Sequence, residues 1–524
     1  MKHVDFTFSL FRDIMAIARS NLDDRSFSTN SVSVSMSRRR RFVFRLLAVF
    51  VGLGVVLLFE VVLRLGGWGR IGDIGDPFVE FNDAVPLFEL TPDGNRYQIP
   101  VSRQVYFQPD GFAADKPADE FRIFCLGGST VQGRPFSIET SFTTWLELSL
   151  QAADPMRPWE VVNCGGVSYA SYRLVPIMKE VLAHEPDLFV IYTGHNEFLE
   201  DRTYARIKNA PSWLKAIHEL VVPLRIYGVI RRLWLEISNG NAEQPTDGTK
   251  LSTEVDTLLD YEGGLEAYHA DDEWRRGVVD HFEVNLRRMT RIARSARVPV
   301  MLVNPVSNLK DTPPFKCEHR TDLSAAQLAD FGRIWDEAKT IEWSQIGRKV
   351  GLLKQALEID DRYADAHFLL AKCYDEMGNE LEAKAEYIRA KDEDICPLRI
   401  IEPLHEVILT VASQSATPVV DVRQIFESDA QDGIPGDLLL VDHVHPSIAG
   451  HQRIALSLLD EMIRQRFVSR RRGWEENRKA LFIQQFQTLS PSYFPRGAER
   501  LRGLRRWTQG RVSRVGTSDS TTGQ

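Results

Sequence analysis

The sequence lacks the patterns that usually indicate a bound metal or phosphate. It has no Cys-x-x-Cys pair, no zinc-ligand spacing and no glycine-rich loop that would cradle a phosphate group. Five of its 524 residues are cysteines, and an odd number of thiols cannot all pair in disulfides. We therefore predict no metal and no cofactor.

A strong excess of charge of either sign is also missing. The formal net charge of −8 is small for this length and indicates no particular partner. The charge is uneven, however, because residues 466–524 form a basic tail, rich in arginine with interspersed aromatic side chains. Nucleic-acid binding is one interpretation of this tail, but contact with anionic lipid headgroups or a cell-wall polymer suits an exported protein better. For residues 510–524 we expect a solvated chain.

A long apolar run lies near the N-terminus, over residues 42–64. It is about long enough to cross a bilayer, and the arginines at 38–41 predict a cytoplasmic N-terminus and an exported remainder. No Ala-x-Ala site follows the run, which favours a single-pass anchor over a cleaved signal peptide. A buried helix is the other alternative. Residues 1–41 are typical of a disordered cytoplasmic segment, and we expect translation to begin at Met36.

Strand and helix patterns alternate from about residue 116. Apolar runs that predict buried strands are separated by helical periodicity, which favours an α/β fold with a parallel sheet and helices on both faces. The predicted strands cover residues 121–126, 159–163, 186–193, 298–304 and 418–422.

Two insertions interrupt this alternation. Residues 199–275 contain apolar and basic helical stretches, which suit a lid, a membrane-surface segment or a helical pair packed on the sheet. Residues 322–395 form a second, helical insertion. The predicted parts before the α/β domain are a cytoplasmic segment (1–41), an anchor (42–64) and a linker with a lead-in strand at 104–108 (65–115). The α/β domain comes in two pieces (116–310 and 396–465) around the second insertion (322–395). The basic tail (466–524) follows.

The first predicted strand ends in Gly127, Gly128 and Ser129. Glycine lets the backbone turn sharply where a side chain would clash. The turn leaves Ser129 at the C-terminal edge of the sheet, where open α/β sheets place their ligands. Ser129 is therefore a candidate nucleophile, provided that a base reaches it and amides surround the oxyanion. The alternative is a serine that caps the next helix.

Two later stretches offer the partners that a nucleophile needs. Asp442 and His445 lie three residues apart in a loop that follows an apolar run. His445 is a candidate base, and Asp442 can accept from its Nδ1–H and fix its tautomer. Asn196, after the third predicted strand, can donate to a developing oxyanion, although asparagine is also a common turn residue.

Residues 364–390 resemble a tetratricopeptide repeat. Its characteristic positions are occupied by Leu370, Ala371, Tyr374, Gly378, Ala383, Tyr387 and Ala390. Residues 353–361 fit the second helix of an earlier repeat, so about one and a half repeats are present. Because fewer than three rarely stand alone, we expect the segment to pack on the α/β domain as a spacer or rim. A protein partner is the other role open to it.

The chain also resembles the SGNH/GDSL hydrolase superfamily. Ser129, the loop after the second strand, Asn196 and the Asp442–His445 pair follow one another in the order of that family's four blocks. The resemblance implies a flavodoxin-like three-layer fold and hydrolysis of carboxylic esters on lipids, glycans or small acyl compounds. It covers roughly residues 118–310 and 396–465.

The resemblance also implies a role for each of these residues. Ser129 is the implied nucleophile, His445 the general base and Asp442 its orienting acid. The Ser129 amide and the Asn196 side chain are implied donors to the oxyanion. The chain departs from the family in having Gly-Gly-Ser instead of Gly-Asp-Ser at the nucleophile.

The glycine of the second block has no unambiguous counterpart. Counting from Asn163 without gaps places Ser168 there, whereas Gly166 comes two residues earlier. The donor at this position is a backbone N–H, so serine can supply it as well as glycine. Both residues remain candidates for the oxyanion hole.

Three functions are compatible with these patterns. The leading hypothesis is a membrane-anchored, exported esterase that hydrolyses O-acetyl or short acyl esters through an acyl-serine intermediate. An O-acyltransferase that modifies a cell-surface polysaccharide would use the same residues with a different acceptor. The third is an inactive scaffold that binds partners through the repeat-like segment, and the complete set of catalytic residue types argues against it.

Overall fold

The structure is a computed structural model, and it describes residues 52, 54, 57–64, 83–200, 225–226, 229, 250–251 and 264–508. The chain divides into two compact units, residues 1–69 with 224–226 and residues 70–223 with 227–524. In the part of the chain that the structure describes, no helix is long and apolar enough to cross a membrane. Most of the predicted anchor, the predicted start at Met36 and most of the predicted lid lie outside that part.

The central sheet of the second unit is parallel throughout. Strands β10, β9, β7, β5 and β6 are neighbours in that order. A three-stranded antiparallel sheet (β2–β3–β4) and a parallel pair (β1 with β8) accompany it. The strands of the described residues are β1 Asp83–Ala84, β2 Glu89–Leu90, β3 Arg96–Gln98, β4 Gly111–Ala113, β5 Phe121–Gly127, β6 Trp159–Gly165, β7 Leu188–Tyr192, β8 Lys250–Leu251, β9 Val300–Asn304 and β10 Val419–Asp421.

Helices follow the strands of the central sheet and cover both of its faces. The α-helices of this unit, within the described residues, are α1 Ser129–Gln132, α2 Phe142–Ala153, α3 Ser171–Val181, α4 Asp272–Ala296, α5 Ala325–Thr340, α6 Ile346–Ile359, α7 Ala364–Glu376, α8 Glu380–Asp392, α9 Glu402–Ser415, α10 Val422–Asp429, α11 Ile448–Arg464, α12 Trp474–Thr488 and α13 Tyr493–Trp507.

Alternating side chains of β5 build two cores. Phe124 and Leu126 face one core, which α3, α4 and α9 complete, while Ile123 and Cys125 face the other, which α2 and α11 complete. All four side chains are fully buried. A strand buried on both faces requires the continuous apolar run that predicted it. The predicted α/β class, with helices on both faces of a parallel sheet, is confirmed.

The register of the sheet brings three loops to one edge. Gly127, the last residue of β5, pairs with Gly165 of β6 and with Tyr192 of β7. Because these strands are parallel and end together, the loops that follow them leave the sheet side by side. The predicted nucleophile and both stretches with oxyanion candidates therefore share one edge.

The second insertion folds as four consecutive helices, α5 to α8. Each helix packs on the next one along the chain. Buried alanines at 371, 383 and 390 let α7 and α8 approach closely. The predicted helical insertion is present, and its membership of the tetratricopeptide family stays a prediction.

Two features differ from the sequence-based expectations. Residues 104–108 form a turn, with Tyr106 N–H and Phe107 N–H both donating to the Arg103 carbonyl at 3.1 Å, so the predicted lead-in strand is wrong. Its two adjacent aromatics lie in a turn that buries Phe107 against the Tyr169 ring. Within the basic tail, residues 474–507 hold the two helices α12 and α13, which were not predicted from the sequence. Residues 510–524 lie outside the described part.

Candidate active site

Ser129 is placed by the sharp turn between β5 and α1. A Cβ added to Gly127 would lie 2.2 Å from the Tyr192 carbonyl oxygen, and one on Gly128 would lie 2.4 Å from Asn196 Nδ2. Only glycine fits that closely packed backbone. The turn presents Ser129 at the first position of α1, with the residue 9% exposed.

Ser129, His445 and Asp442 form a continuous hydrogen-bonded relay. His445 Nε2 lies 2.7 Å from Ser129 Oγ, and His445 Nδ1 lies 2.7 Å from Asp442 Oδ2. Because an ionised carboxylate only accepts, Nδ1 carries the proton and Nε2 accepts from the serine hydroxyl. This is the arrangement of a serine nucleophile with its general base and the acid that orients the base.

A closed loop holds the acid and the base in place. Leu440 and Pro446 bridge its two ends, and Val441 N–H donates to the His445 carbonyl at 2.9 Å. Within the loop, Asp442 Oδ1 accepts from the N–H of Val444 at 3.0 Å and of His445 at 2.8 Å. The three-residue spacing therefore serves two purposes, since one carboxylate fixes both the backbone turn and the imidazole.

The surroundings of Asp442 keep it ionised. Burial alone would raise the pKa of its carboxyl, but the neighbouring imidazoles of His445 and His443 and the hydrogen bonds from His445 hold that pKa well below its usual range. His443 Nδ1 lies 3.6 Å from Asp442 Oδ1, and burial lowers the pKa of His443 to about 4. At neutral pH the site thus contains a carboxylate flanked by an uncharged His443.

Asn196 lies beside the turn that carries Ser129. Its Nδ2 donates to the Tyr169 carbonyl at 3.1 Å and borders Gly128. The next residue, Glu197, is buried and accepts from the N–H and the hydroxyl of Ser171, both at 2.9 Å. These bonds tie the loop after β7 to the start of α3 and fix the direction of the Asn196 amide.

Hydrogen bonding separates the two candidates of the second block. Gly166 N–H donates to the Gly127 carbonyl at 3.0 Å and is therefore occupied. Ser168 has a left-handed backbone with φ 61°, and its N–H has no acceptor among the described residues. The free amide makes Ser168 the better candidate for an oxyanion donor, next to the Ser129 amide.

Two histidines near Asp442 were not singled out from the sequence as site residues. His443 lies against the carboxylate, and the Phe315 ring meets the His443 ring edge-on at 5.3 Å. His195 accepts from Ile400 N–H at 3.3 Å through Nδ1, while its buried Nε2 has no partner within the described residues. In the sequence, only their positions pointed to the site, because His195 precedes Asn196 and His443 follows Asp442.

A cavity of about 510 Å³ opens beside Asp442 and His443. The carboxylates of Asp311 and Asp437, the guanidinium of Arg505 and the ring of Phe315 contribute to its wall. Asp311 accepts from Asp437 N–H at 2.8 Å, so the acidic groups are held in place by the backbone. Among the described residues, no group of three or more His, Cys, Asp or Glu side chains is arranged to hold a metal ion.

We expect Asn196→Ala to lower kcat on an activated ester by roughly 10²–10³-fold, the usual cost of one oxyanion donor. Loss of the bond to Tyr169 should cost only ~1 kcal/mol of folding free energy, so the variant should fold. Hydrolysis of 4-nitrophenyl acetate and thermal unfolding measure the two effects. Wild-type turnover in a folded Asn196→Ala protein would exclude this side chain from the oxyanion hole.

Ser168→Gly is the matched comparison for that variant. It keeps the backbone N–H and suits the positive φ, so it should retain most of the wild-type rate. A loss as large as that of Asn196→Ala would instead point to the Ser168 hydroxyl.

No protein-family model matches the chain, and no curated protein matches it. Among solved structures, an acetylxylan esterase from Geobacillus stearothermophilus is similar at 14% identity and a TM-score of 0.29, over 65% of this chain and 94% of that one. A lipase/acylhydrolase from Enterococcus faecalis is similar at 12% identity and a TM-score of 0.31, over 67% of this chain and 100% of that one. A lipolytic protein of the G-D-S-L family from Desulfitobacterium hafniense is similar at 12% identity and a TM-score of 0.28, over 64% and 97%. Because these TM-scores are below 0.5, the function must be inferred from the geometry of the site.

Proposed function

We propose that the protein is a serine esterase that hydrolyses carboxylic esters through an acyl-serine intermediate. The observation that carries this proposal is the relay from Ser129 through His445 to Asp442, with both contacts at 2.7 Å. Residues from two distant parts of the chain, 316 positions apart, meet with the geometry that general-base activation of a serine requires.

The first half of the reaction acylates the serine. His445 Nε2 takes the proton of Ser129 Oγ as that oxygen attacks the ester carbonyl carbon. The carbonyl oxygen becomes an oxyanion that accepts from the Asn196 amide and the N–H groups of Ser129 and Ser168. The tetrahedral intermediate then expels the alcohol, which leaves with the proton from His445, and the acyl group stays on Ser129.

The second half releases the acyl group. Water attacks the acyl carbon while His445 takes one of its protons, and the oxyanion forms in the same set of donors. The bond to Ser129 Oγ breaks, the oxygen regains a proton from His445, and the carboxylic acid departs. Asp442 holds the imidazole in one tautomer throughout and stabilises its positive charge in both halves.

A hydroxylated alcohol portion, as in an O-acetylated glycan, suits the neighbouring cavity. Carboxylates such as Asp311 and Asp437 accept hydrogen bonds from sugar hydroxyls, and the Phe315 ring offers an apolar face. If a glycan hydroxyl replaced water in the second half, the same residues would act as an O-acyltransferase.

One experiment distinguishes these functions. The full-length protein is incubated with an acetyl-ester donor, with and without unacetylated glycan, and free acetate and acetylated glycan are both measured. Acetate release independent of added glycan supports the esterase, and acetylation of the glycan supports the acyltransferase. If neither product forms and a fluorophosphonate leaves Ser129 unlabelled, a scaffold that binds partners through 322–395 becomes the better hypothesis.

We also propose that residues 42–64 anchor the protein in a membrane, with the α/β domain exported. The support is the apolar run with the arginines at 38–41 before it. Washing membranes with alkaline carbonate tests the anchor, since release of the full-length chain into the supernatant would contradict it.

A further inference from the structure

Arg134 lies five residues beyond Ser129 and has no carboxylate partner among the residues that the structure describes. Its side chain is partly buried, and the hydrogen bond that the structure gives it runs from Nε to Gln132 Oε1 at 3.3 Å. A guanidinium withdrawn from water usually needs an anion, so the absence of one requires an explanation.

A second arginine reaches the same loop from the C-terminal helix α13. Arg500 Nη1 donates to the Phe136 carbonyl at 2.9 Å and to Ser137 Oγ at 3.1 Å. The helix is held there by Tyr493, whose hydroxyl lies 2.8 Å from Thr140 Oγ1. Arg500 is exposed and likewise has no carboxylate partner in the described part of the chain.

Hydrogen bonds link Arg134 to the residues around the oxyanion candidates. Arg134 N–H donates to the Ser129 carbonyl at 3.1 Å. Gln132, which contacts the Arg134 guanidinium, donates through Nε2 to the Tyr106 carbonyl at 2.8 Å. That carbonyl also accepts from Val167 N–H at 2.9 Å, one residue before the candidate donor Ser168. A chain of direct contacts thus links Arg134 to the loop that lines the oxyanion hole.

Arg134 and Arg500 meet at the same loop, and their like charges repel each other. Burial, and then the charge of Arg500, lower the pKa of Arg134 to about 10. At this pKa Arg134 is still protonated at neutral pH, so the repulsion between the two side chains persists. An anion placed between them would relieve it, and guanidinium forks bind carboxylate and phosphate groups through paired hydrogen bonds.

We propose that Arg134 and Arg500 form a binding site for an anionic group, a carboxylate or a phosphate, on a polymeric substrate whose ester lies at Ser129. This inference rests on the proposed esterase function and narrows its substrate to acylated anionic polymers. The cavity beside Asp442 offers the carboxylates of Asp311 and Asp437 together with the Arg505 side chain, while Arg134 and Arg500 lie at the loop that follows Ser129. A polymer with both hydroxyl and anionic groups matches that distribution.

The test compares an anionic polymer ester with a neutral one. Full-length protein is assayed on acetylated polygalacturonate, acetylated xylan and 4-nitrophenyl acetate, as wild type and as Arg134→Gln and Arg500→Gln. We expect the wild type to prefer polygalacturonate to xylan. In each variant, kcat/KM on polygalacturonate relative to 4-nitrophenyl acetate should fall about tenfold, mainly through KM, the scale of one charged hydrogen bond. Arg502→Gln, on the exposed face of the same helix, is the control and should keep the preference.

Competition shows which anion the site accepts. Unacetylated polygalacturonate and polyphosphate are added as inhibitors of the polymer reaction. Inhibition by either one that weakens in Arg134→Gln supports the site and identifies carboxylate or phosphate as its ligand. A wild type without preference for polygalacturonate, or variants that keep it, would overturn the anion site while hydrolysis of 4-nitrophenyl acetate still upheld the esterase. If the wild type hydrolysed none of the three substrates and fluorophosphonate left its Ser129 unlabelled, both the anion site and the esterase function would be overturned.

Discussion

Replacing Ser129 by alanine is expected to remove ester hydrolysis almost completely, by roughly 10⁴–10⁶-fold in kcat. In the proposed reaction the Ser129 hydroxyl gives its proton to His445 across the 2.7 Å contact and then attacks the ester. Alanine has neither this proton nor the attacking oxygen. Losing one hydroxyl bond should cost only ~1 kcal/mol of stability. Turnover of 4-nitrophenyl acetate measures the effect, and thermal unfolding checks the fold.

Covalent labelling tests the role of Ser129 without knowledge of the natural substrate. A fluorophosphonate should modify wild-type Ser129, and the modification should disappear in Ser129→Ala and in His445→Ala, where no base activates the hydroxyl. Ser428→Ala serves as the control, because that hydroxyl donates to the Gln424 carbonyl within α10. Labelling at another serine, or turnover that survives in Ser129→Ala, would show that this relay is not the catalytic centre.

The fold and the meeting of Ser129, His445 and Asp442 were largely predictable from the sequence, because both depend on short-range signals. Strands buried on two faces need continuous apolar runs, and these identified the central strands of the sheet. Because the strands are parallel, their C-terminal ends lie at one edge of the sheet, where a ligand is expected to bind. Gly128 and Ser129 after one run, and Asp442 with His445 after another, could then be expected at that edge. The structure brings them within hydrogen-bond distance.

The remaining features depend on contacts that leave little trace in the sequence. Whether Gly166 or Ser168 has a free N–H depends on which of the two donates a hydrogen bond to the Gly127 carbonyl. The run of β-branched and aromatic residues at 105–107 resembles a strand, yet a turn that buries a single ring contains the same residues. A short apolar run of three residues cannot distinguish these cases.

The role of the C-terminal helices could not be predicted either, because it depends on contacts with residues that are distant in the sequence. Residues 474–507 suggested a basic tail, because their aromatics have no neighbours in sequence to pack against. In the structure the Phe482 ring lies 4.6 Å from the Trp145 ring, and α13 carries Arg500 to the loop beside the nucleophile. The amphipathic character of such helices becomes informative only when the surface that they cover is known.

Asp442→Asn should lower kcat by roughly 10³–10⁴-fold while the protein stays folded. Asparagine can still accept from Val444 N–H and His445 N–H through Oδ1, so the loop should keep its shape. At the Oδ2 position, however, an NH₂ group would face His445 Nδ1. The imidazole would then carry its proton on Nε2, and it could no longer take the proton of Ser129. Steady-state hydrolysis of 4-nitrophenyl acetate measures this loss.

Stability gives this variant a second, independent measurement. Since the folded pKa of Asp442 is held below its unfolded value, the carboxylate stabilises the wild type above the ordinary carboxyl range, near pH 4, and this contribution is lost as the pH falls through the folded pKa. The difference in unfolding free energy between wild type and Asp442→Asn should therefore be largest at neutral pH and narrow on acidification. Asp429→Asn, an exposed carboxylate paired with Arg453, should show little loss of rate. Equal losses in both variants, or a stability difference that does not change with pH, would mean that Asp442 is not the ionised partner of His445, and the tautomer argument would fail with it.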